Sequence, residues 1–137
     1  MLKLLNNKLD LIFKKSKIFS VFFLRLGLGC AFTIHGANKF PLPPEKLIEY
    51  FGFSPFLASF IAISEVVAGI TIIMGGFFKN YIGNLLTRFS ALIIIIIMVF
   101  AFYFAHKDWF INTQLFTSEQ IFLFLIGLYF FLNGNSR

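Results

Sequence analysis

The stretch "LRLGLGCAFTIHGANKF", residues 24–40, has the composition of a membrane-spanning helix but carries three ionisable side chains. These side chains are Arg25, His35 and Lys39. Ionisable residues in such helices usually face the interior of a helix bundle and pair with other polar groups. The stretch therefore predicts a membrane helix that packs against other helices, whose side chains supply partners for its charges.

The composition of the whole chain fits this prediction. Of its 137 residues, 58% are hydrophobic and 13% are charged, whereas soluble domains average about 45–50% and about 25%. The length predicts one domain. The single cysteine, Cys30, excludes an intramolecular disulfide and a cysteine metal cluster. No two histidines have metal-ligand spacing, so we expect no metal site.

Four segments are candidates for crossing a bilayer, which takes about 20 largely apolar residues. Three of them, residues 18–38, 55–78 and 81–105, are long enough. The fourth, residues 118–133, covers only roughly 24 Å, but neighbouring helices or a thinner bilayer can absorb that mismatch. Thr117 and Gln120 have capping-box spacing at its start. The expected fold is an all-α, integral membrane four-helix bundle that spans residues 18–137.

The cations predict the orientation of this bundle. Four crossings place both termini on one side, and the positive-inside rule assigns that side to the cytoplasm. Seven cations lie on the side of the termini: Lys3, Lys8, Lys14, Lys15, Lys17, Lys79 and Arg137. Three lie on the other side: Lys39, Lys46 and Lys107. This distribution also accounts for the net charge of +6, so nucleic acid is not an expected partner.

Two further segments are expected at the membrane surface. Residues 1–17 place apolar side chains along one helical stripe among lysines. This pattern is typical of a basic amphipathic helix on anionic lipid, and a disordered basic tail is the alternative. In residues 43–55, Pro44 can begin a short helix and Gly52 can end it, which predicts a re-entrant or interfacial turn on the outer side.

Three charges are expected inside the membrane at similar depth. Counted along their helices, Arg25 and Arg88 lie roughly 10 Å and Glu65 roughly 16 Å from the cytoplasmic face. A glutamate between two arginines offsets much of the cost of burying them. We interpret the three residues as a buried charge network that either binds a ligand or only fixes helix register.

Small residues on the same helices indicate where they touch. Gly29 and Gly36 share the face of Arg25, and Gly69 shares the face of Glu65. Glycines let helices approach closely in lipid. The first and second spans are therefore expected to pack through these glycines.

A second polar group, His35, Lys39 and Glu119, is expected near the outer ends of the first and fourth spans. The histidine is suited to bind a quinone oxygen, to relay a proton or to cap a carbonyl group. Lys39 can extend to the membrane surface. The other histidine, His106, lies beside Trp109 in the outer loop, and we interpret it as a surface residue.

These residues resemble a known family. The stretches "LRLGLGCAFTIHGANKF", "FGFSPFLASFIAISEVVAGITIIMGGFFKN" and "TRFSALIIIIIMVF" are similar to the DoxX family of small four-helix bacterial membrane proteins, and the resemblance covers roughly residues 21–133. The positions that match the motifs are Arg25, Gly29, His35, Gly36, Lys39, Glu65, Gly69 and Arg88. Many relatives begin the last span with an Asn-Gly-Glu-like turn. Here the turn is "TSEQ", so Glu119 matches and the preceding glycine does not.

The resemblance implies a multi-pass protein of the bacterial inner membrane. A related protein forms the large subunit of an archaeal thiosulfate:quinone oxidoreductase, and some relatives assemble with thiol- or sulfur-handling enzymes. It therefore implies a redox-associated subunit with a quinone or a small sulfur or thiol species as ligand, and a redox enzyme as partner. We expect the chain to carry no cofactor of its own, and quinone is the candidate for a bound cofactor. Catalysis by the chain is left open, as are a non-catalytic scaffold or anchor and an oligomeric small-solute carrier.

Overall fold

The computed structural model describes residues 1–14 and 16–135, and every regular element in them is helical. Lys15 and Arg137, two of the cations used to predict the orientation, lie outside the described residues. The elements are α1 (Leu2–Phe13), α2 (Lys17–Ala37), α3 (Glu45–Phe51), α4 (Pro55–Gly75), α5 (Tyr81–Ala105), a 3-10 helix (Lys107–Phe110), α6 (Gln114–Thr117) and α7 (Glu119–Asn133).

In the part of the chain that the structure describes, three helices are long and apolar enough to cross a membrane. They cover 20 residues of α2, 21 residues of α4 and 25 residues of α5, and α5 has the predicted bounds. The starts of α4 and α5 are fixed by N-caps. The Ser54 hydroxyl accepts a hydrogen bond from the backbone N–H of Leu57, and the Asn80 side-chain oxygen accepts one from the backbone N–H of Gly83. The helix α4 ends at Gly75 rather than at residue 78, since Gly76 caps it.

The last helix, α7, has 15 residues and rises roughly 22 Å. The expected capping box at its start is not formed. The Thr117 hydroxyl donates to the carbonyl oxygen of Gln114 inside the short helix α6, so it is not available to α7. Instead, Ser118 adopts an extended conformation and α7 begins at Glu119.

The three long helices of the described residues and the shorter helix α7 pack against one another. Helix α2 packs on α4, α4 on α5 and α5 on α7, which returns to α2. We call the end that carries α3 and residues 106–118 the upper end, and the end that carries the α4–α5 turn (residues 76–80) and Asn135 the lower end. The core between the helices consists of Leu28, Phe32, Ala68, Ile72, Ala91, Ile94, Met98, Phe102, Leu123 and Phe130.

The register between α2 and α4 is set by glycines. A Cβ atom on Gly29 would lie 2.6 Å from the carbonyl oxygen of Gly69, and one on Gly36 would lie 2.8 Å from that of Ala62. Both distances are too short for a side chain, so the two backbones touch at these points. As a result, Arg25 lies beside the lower part of α4, and His35 lies beside its upper part.

Two helices lie outside the bundle core. All the described side chains of α1 are exposed. The short helix α3 has the bounds expected from the sequence, with Pro44 as its N-cap. Gly52 ends it at a φ of 67°, a left-handed conformation that glycine adopts without strain.

Candidate functional site

A cavity at the upper end collects most of the ionisable groups of the bundle. Its volume is about 190 Å³. Its polar lining comes from α2, α4, the end of α5 and α7: His35, Lys39, Glu65, His106 and Gln120. Its apolar walls are Phe32, Ile97, Met98, Ala101 and Leu123. We call this the upper cavity.

The deepest charged group in the upper cavity is an ion pair between Lys39 and Glu65. Lys39 Nζ contacts Glu65 Oε2 and also donates to the carbonyl oxygen of His35 at 3.2 Å. The Glu65 side chain is 8% exposed and that of Lys39 is 23% exposed. Since α2 ends at Ala37, the long Lys39 side chain can turn back towards the bundle. The pair neutralises two charges that would be costly to bury separately.

The second ion pair lies at the mouth of the upper cavity. His35 Nε2 is 3.0 Å from Glu119 Oε1, a distance at which an imidazole N–H donates to a carboxylate. The two side chains are 45% and 61% exposed, so the pair contributes little to stability. It joins the upper ends of α2 and α7. The structure thus brings His35, Lys39 and Glu119 to one region, together with Glu65.

His106 lies in the loop after α5 beside Trp109, as expected, and it also lines the upper cavity. Its ring stacks on Trp109 with ring centroids 3.6 Å apart, and partial burial lowers the pKa of the imidazole. The neutral ring is therefore favoured at neutral pH. One turn of 3-10 helix places Trp109, three residues further on, against the imidazole.

A separate polar cluster lies at the lower end and is organised by Arg25, which is 4% exposed. Arg25 Nη1 donates to the carbonyl oxygen of Ile72 and to Thr87 Oγ1, and Nη2 donates to Asn135 Oδ1, each at 2.7 Å. The guanidinium also lies 4.5 Å from the ring centroid of Phe130. One side chain of α2 thus holds α4, α5 and the end of α7 together.

Asn135 is the second organiser of the lower cluster. Its Nδ2 donates to the carbonyl oxygens of Gly75 and Phe78 at 2.7 and 3.2 Å, and its backbone N–H donates to Asn84 Oδ1 at 3.0 Å. Sequence reasoning missed Asn135, Thr87 and Asn84. The available signal was the presence of uncharged polar side chains close to Arg25 and Arg88 in an otherwise apolar bundle.

The structure does not bring Arg25, Glu65 and Arg88 together, which corrects the expected network of one glutamate between two arginines. The glycine register places Arg25 beside Ile72, seven residues or roughly 10 Å further down α4 than Glu65. Arg88 is half-buried and donates to the carbonyl oxygen of Phe131 at 2.9 Å. The partner of Glu65 is Lys39. The backbone of Lys39 lies beyond the end of α2, but its long side chain reaches into the bundle as far as Glu65.

Two other features carry no polar site. A groove of about 300 Å³ between α2 and α4 is lined by Cys30, Thr33, Ile34, Ile70, Ile73 and Met74. It is almost wholly apolar and lies away from the ionisable groups, as expected of a surface that faces lipid. Within residues 1–14 and 16–135, no group of three or more His, Cys, Asp or Glu side chains is placed to hold a metal ion.

The Lys39–Glu65 pair predicts a coupled effect on stability. Lys39→Met leaves the Glu65 carboxylate without its partner and should lower the free energy of unfolding by about 3 kcal/mol. Adding Glu65→Gln should recover at least about 1 kcal/mol, since the second change removes the uncompensated charge. Denaturant unfolding in micelles, followed by circular dichroism, measures each value.

The control for this cycle is Lys46→Met, which removes an exposed lysine of α3 at the same end of the bundle. Its effect should stay within about 0.5 kcal/mol. Purely additive costs for Lys39→Met and Glu65→Gln would show that the two side chains do not interact in the folded protein.

Comparison with known proteins shows the family of the chain. Searches among curated proteins and among solved structures found no match. The DoxX family profile matches residues 20–107, well over half of the chain. The matched segment contains α4, α5 and nearly all of α2, and therefore Arg25, His35, Lys39 and Glu65. Its apolar helices are those of a multi-pass membrane protein, and the chain belongs to the DoxX family.

Proposed function

We propose that this chain is a redox-associated subunit of the bacterial inner membrane that binds a small redox-active molecule in the upper cavity. The ligand is a quinone head group or a small sulfur or thiol species. The observation that carries the proposal is the convergence of His35, Lys39, Glu65 and His106, from separate elements, on one cavity inside a bundle that is otherwise apolar at this level. Polar groups that converge in a partly apolar pocket are typical of ligand sites.

Four membrane crossings with both termini in the cytoplasm form part of this proposal. Although α7 is short, Glu119 at its start contacts His35 near the top of α2. Asn135, just after its end, contacts the α4–α5 turn at the bottom. The last helix and its flanks therefore extend along the bundle from end to end. The upper end is then the side away from the cytoplasm, as the excess of lysines near the lower end favours.

The volume of the upper cavity limits what it can hold. Sites for drug-sized ligands measure roughly 300–1,000 Å³, whereas this cavity has about 190 Å³. It accommodates a single ring or a small sulfur compound, and any isoprenoid chain would have to lie outside among the lipids. Phe32, Ile97 and Leu123 supply apolar walls for a ring, and Lys39 supplies N–H groups for its oxygen.

The chemistry assigned to each residue follows from its charge and exposure. A quinone would supply two-electron redox chemistry, in which reduction also takes up two protons. Glu65 is placed to exchange a proton with a bound ligand, and Lys39 is placed to hold a carbonyl or anionic oxygen. The electrons would come from a partner redox enzyme. The Lys39–Glu65 pair is electrically neutral, so a sulfur anion would have to displace Glu65 from Lys39.

A second candidate function is a membrane anchor or assembly scaffold. It is favoured by α1, a helix with lysines and exposed apolar side chains that lies outside the bundle core. Such a helix is suited to lie on anionic lipid or to recruit a partner. In that function, the ionisable groups of the upper cavity would serve only the architecture.

Purification from the native membrane in mild detergent, with mass spectrometry of bound proteins and small molecules, tests the proposal. We expect a stoichiometric quinone or sulfur compound, or a co-purifying redox enzyme. Ala101→Leu should reduce the bound small molecule at least about tenfold, since the added atoms fill the cavity. Ala105→Leu, one turn further on α5 at an exposed position, should leave it unchanged. Wild-type protein that carries neither ligand nor redox partner would rule out the redox proposal and favour the anchor.

A further inference from the structure

We propose that the upper cavity is a one-sided proton well, in which Glu65 exchanges protons with the aqueous phase at the upper end and is closed off from the lower end. This inference concerns the cavity of the proposed function. It rests on the path to Glu65 rather than on the identity of the ligand.

The path from water to Glu65 begins with exposed groups. Glu119 and His35 form a hydrogen-bonded pair at the mouth, and both side chains are largely accessible. His35 and Glu65 line the same cavity. A volume of about 190 Å³ has room for several water molecules, since each takes about 30 Å³ in the liquid. Waters bound between polar groups can complete a proton path from the imidazole to the carboxylate.

Among residues 1–14 and 16–135, the titratable groups that contact Glu65 or line its cavity belong to this upper region. Helix α2 and the residues just after it contribute His35 and Lys39, and the segment after α5 contributes His106. Glu119 of α7 contacts His35 at the mouth. Lys39 stabilises the ionised form of Glu65 through their ion pair. A proton that reaches Glu65 neutralises the carboxyl group and frees Lys39 Nζ to bind another oxygen. Protonation of Glu65 is thereby coupled to the binding of a ligand oxygen by Lys39.

Below Glu65 the bundle is closed by apolar side chains. Phe32, Ala68 and Ile94 are at most 3% exposed. A Cβ atom on Gly127 of α7 would lie 3.1 Å from Ile94 Cγ2, so α5 and α7 are in close contact at this layer. A tightly packed apolar layer offers water no hydrogen-bond partners and so opposes proton transfer.

The hydroxyl groups further down the bundle do not reopen the path. That of Thr33, which lies against Gly69 of α4, donates to the carbonyl oxygen of Gly29 in its own helix at 2.8 Å. Thr71 lies six residues beyond Glu65 on α4, a rise of roughly 9 Å. Its hydroxyl is 2.6 Å from Ser90 Oγ. Each hydroxyl also lies 2.7 Å from a carbonyl oxygen of its own helix, that of Val67 for Thr71 and that of Leu86 for Ser90. Since each hydroxyl has one proton, one of them donates to the other, and the hydroxyl that accepts donates to the carbonyl oxygen of its own helix. Since these hydroxyl groups are already hydrogen-bonded, they form a local link between α4 and α5 rather than an extension of the well.

Infrared spectroscopy of proteoliposomes tests the proposal without a ligand. The pH of the external bath is lowered rapidly from about 8 to about 3, a range that includes the ordinary pKa of a glutamate as well as that of a histidine. The carboxyl band of Glu65 is identified by its loss in Glu65→Gln. A protease-sensitive tag at the N-terminus, which precedes the lower end of α2, measures the fraction of molecules with the lower end outward.

We expect the Glu65 band to change in two phases. The amplitude of the fast phase should equal the fraction of molecules with the upper end outward, and the slow phase should become fast when a protonophore is added. His35→Gln and Glu119→Gln should each slow the fast phase by at least about tenfold, since they remove proton-transferring groups. Glu49→Gln, which removes an exposed carboxylate of α3 at the same end, should leave it unchanged.

Three results would overturn the proton well. They are a fast phase that matches the fraction with the lower end outward, a single fast phase in all molecules, and a Glu65 band that does not respond to pH. None of them bears on whether a quinone or sulfur compound co-purifies. Conversely, a ligand-free protein with the expected two phases would remove the proposed function and leave the proton well intact.

Discussion

Replacement of Gly29 by leucine is expected to lower the free energy of unfolding by about 3 kcal/mol or more. A Cβ atom at this position would lie 2.6 Å from the carbonyl oxygen of Gly69 and 2.6 Å from Ile73 Cδ1. The isoleucine side chain can move, but the backbone of α4 cannot move without separating the two helices. Helices in lipid associate mainly through close packing, so separation removes the principal contact between α2 and α4.

Gly27 provides a matched control on the same helix. A Cβ atom there would meet no atom within 4 Å, and the residue is exposed. Gly27→Leu should therefore change the free energy of unfolding by less than about 1 kcal/mol. Denaturant titration in micelles, with Trp109 fluorescence as the signal, measures both variants. Equal effects of the two substitutions would show that Gly29 does not lie at a close contact between helices.

The helices were predictable because their signals are local. An apolar run of 20 or more residues marks a spanning helix, and residues 1–14 and 16–135 contain three such helices. The predicted start and end of α3 are confirmed, since proline and glycine act on their own backbone. Gly29 and Gly36 of α2 also lie where the backbone of α4 comes close, as predicted. Each of these predictions needed only a residue and its neighbours in the sequence.

The partners of the charged side chains were not predictable in the same way. Depth counted along each helix placed Glu65 near the two arginines. The actual partner depends on the register between α2 and α4 and on the reach of a flexible side chain from Lys39. Asn135 is more difficult still, since its role appears only when the end of α7 meets the α4–α5 turn. The register between α2 and α4, and the place where the end of α7 meets the α4–α5 turn, depend on the packing of the whole bundle.

Arg25→Ala is the other substitution expected to have a large effect, with a loss of about 3–5 kcal/mol in the free energy of unfolding. The change removes three hydrogen bonds of 2.7 Å to Ile72, Thr87 and Asn135. It leaves a buried carbonyl oxygen without its charged donor. Arg25→Lys should recover only part of the loss, because an ammonium group lacks the planar fork that contacts several elements at once.

Arg88→Ala is the control for Arg25→Ala, because Arg88 makes a hydrogen bond to one carbonyl oxygen from a half-buried position. It should cost about 1–2 kcal/mol. If Arg25 acts only at the lower end, the folded fraction of Arg25→Lys should still retain any ligand of the upper cavity, which lies at least roughly 10 Å away along α4. Loss of the ligand from well-folded Arg25→Lys would instead place the arginine in the binding site. Equal stability of Arg25→Ala and Arg88→Ala would show that Arg25 does not hold the lower end of the bundle together.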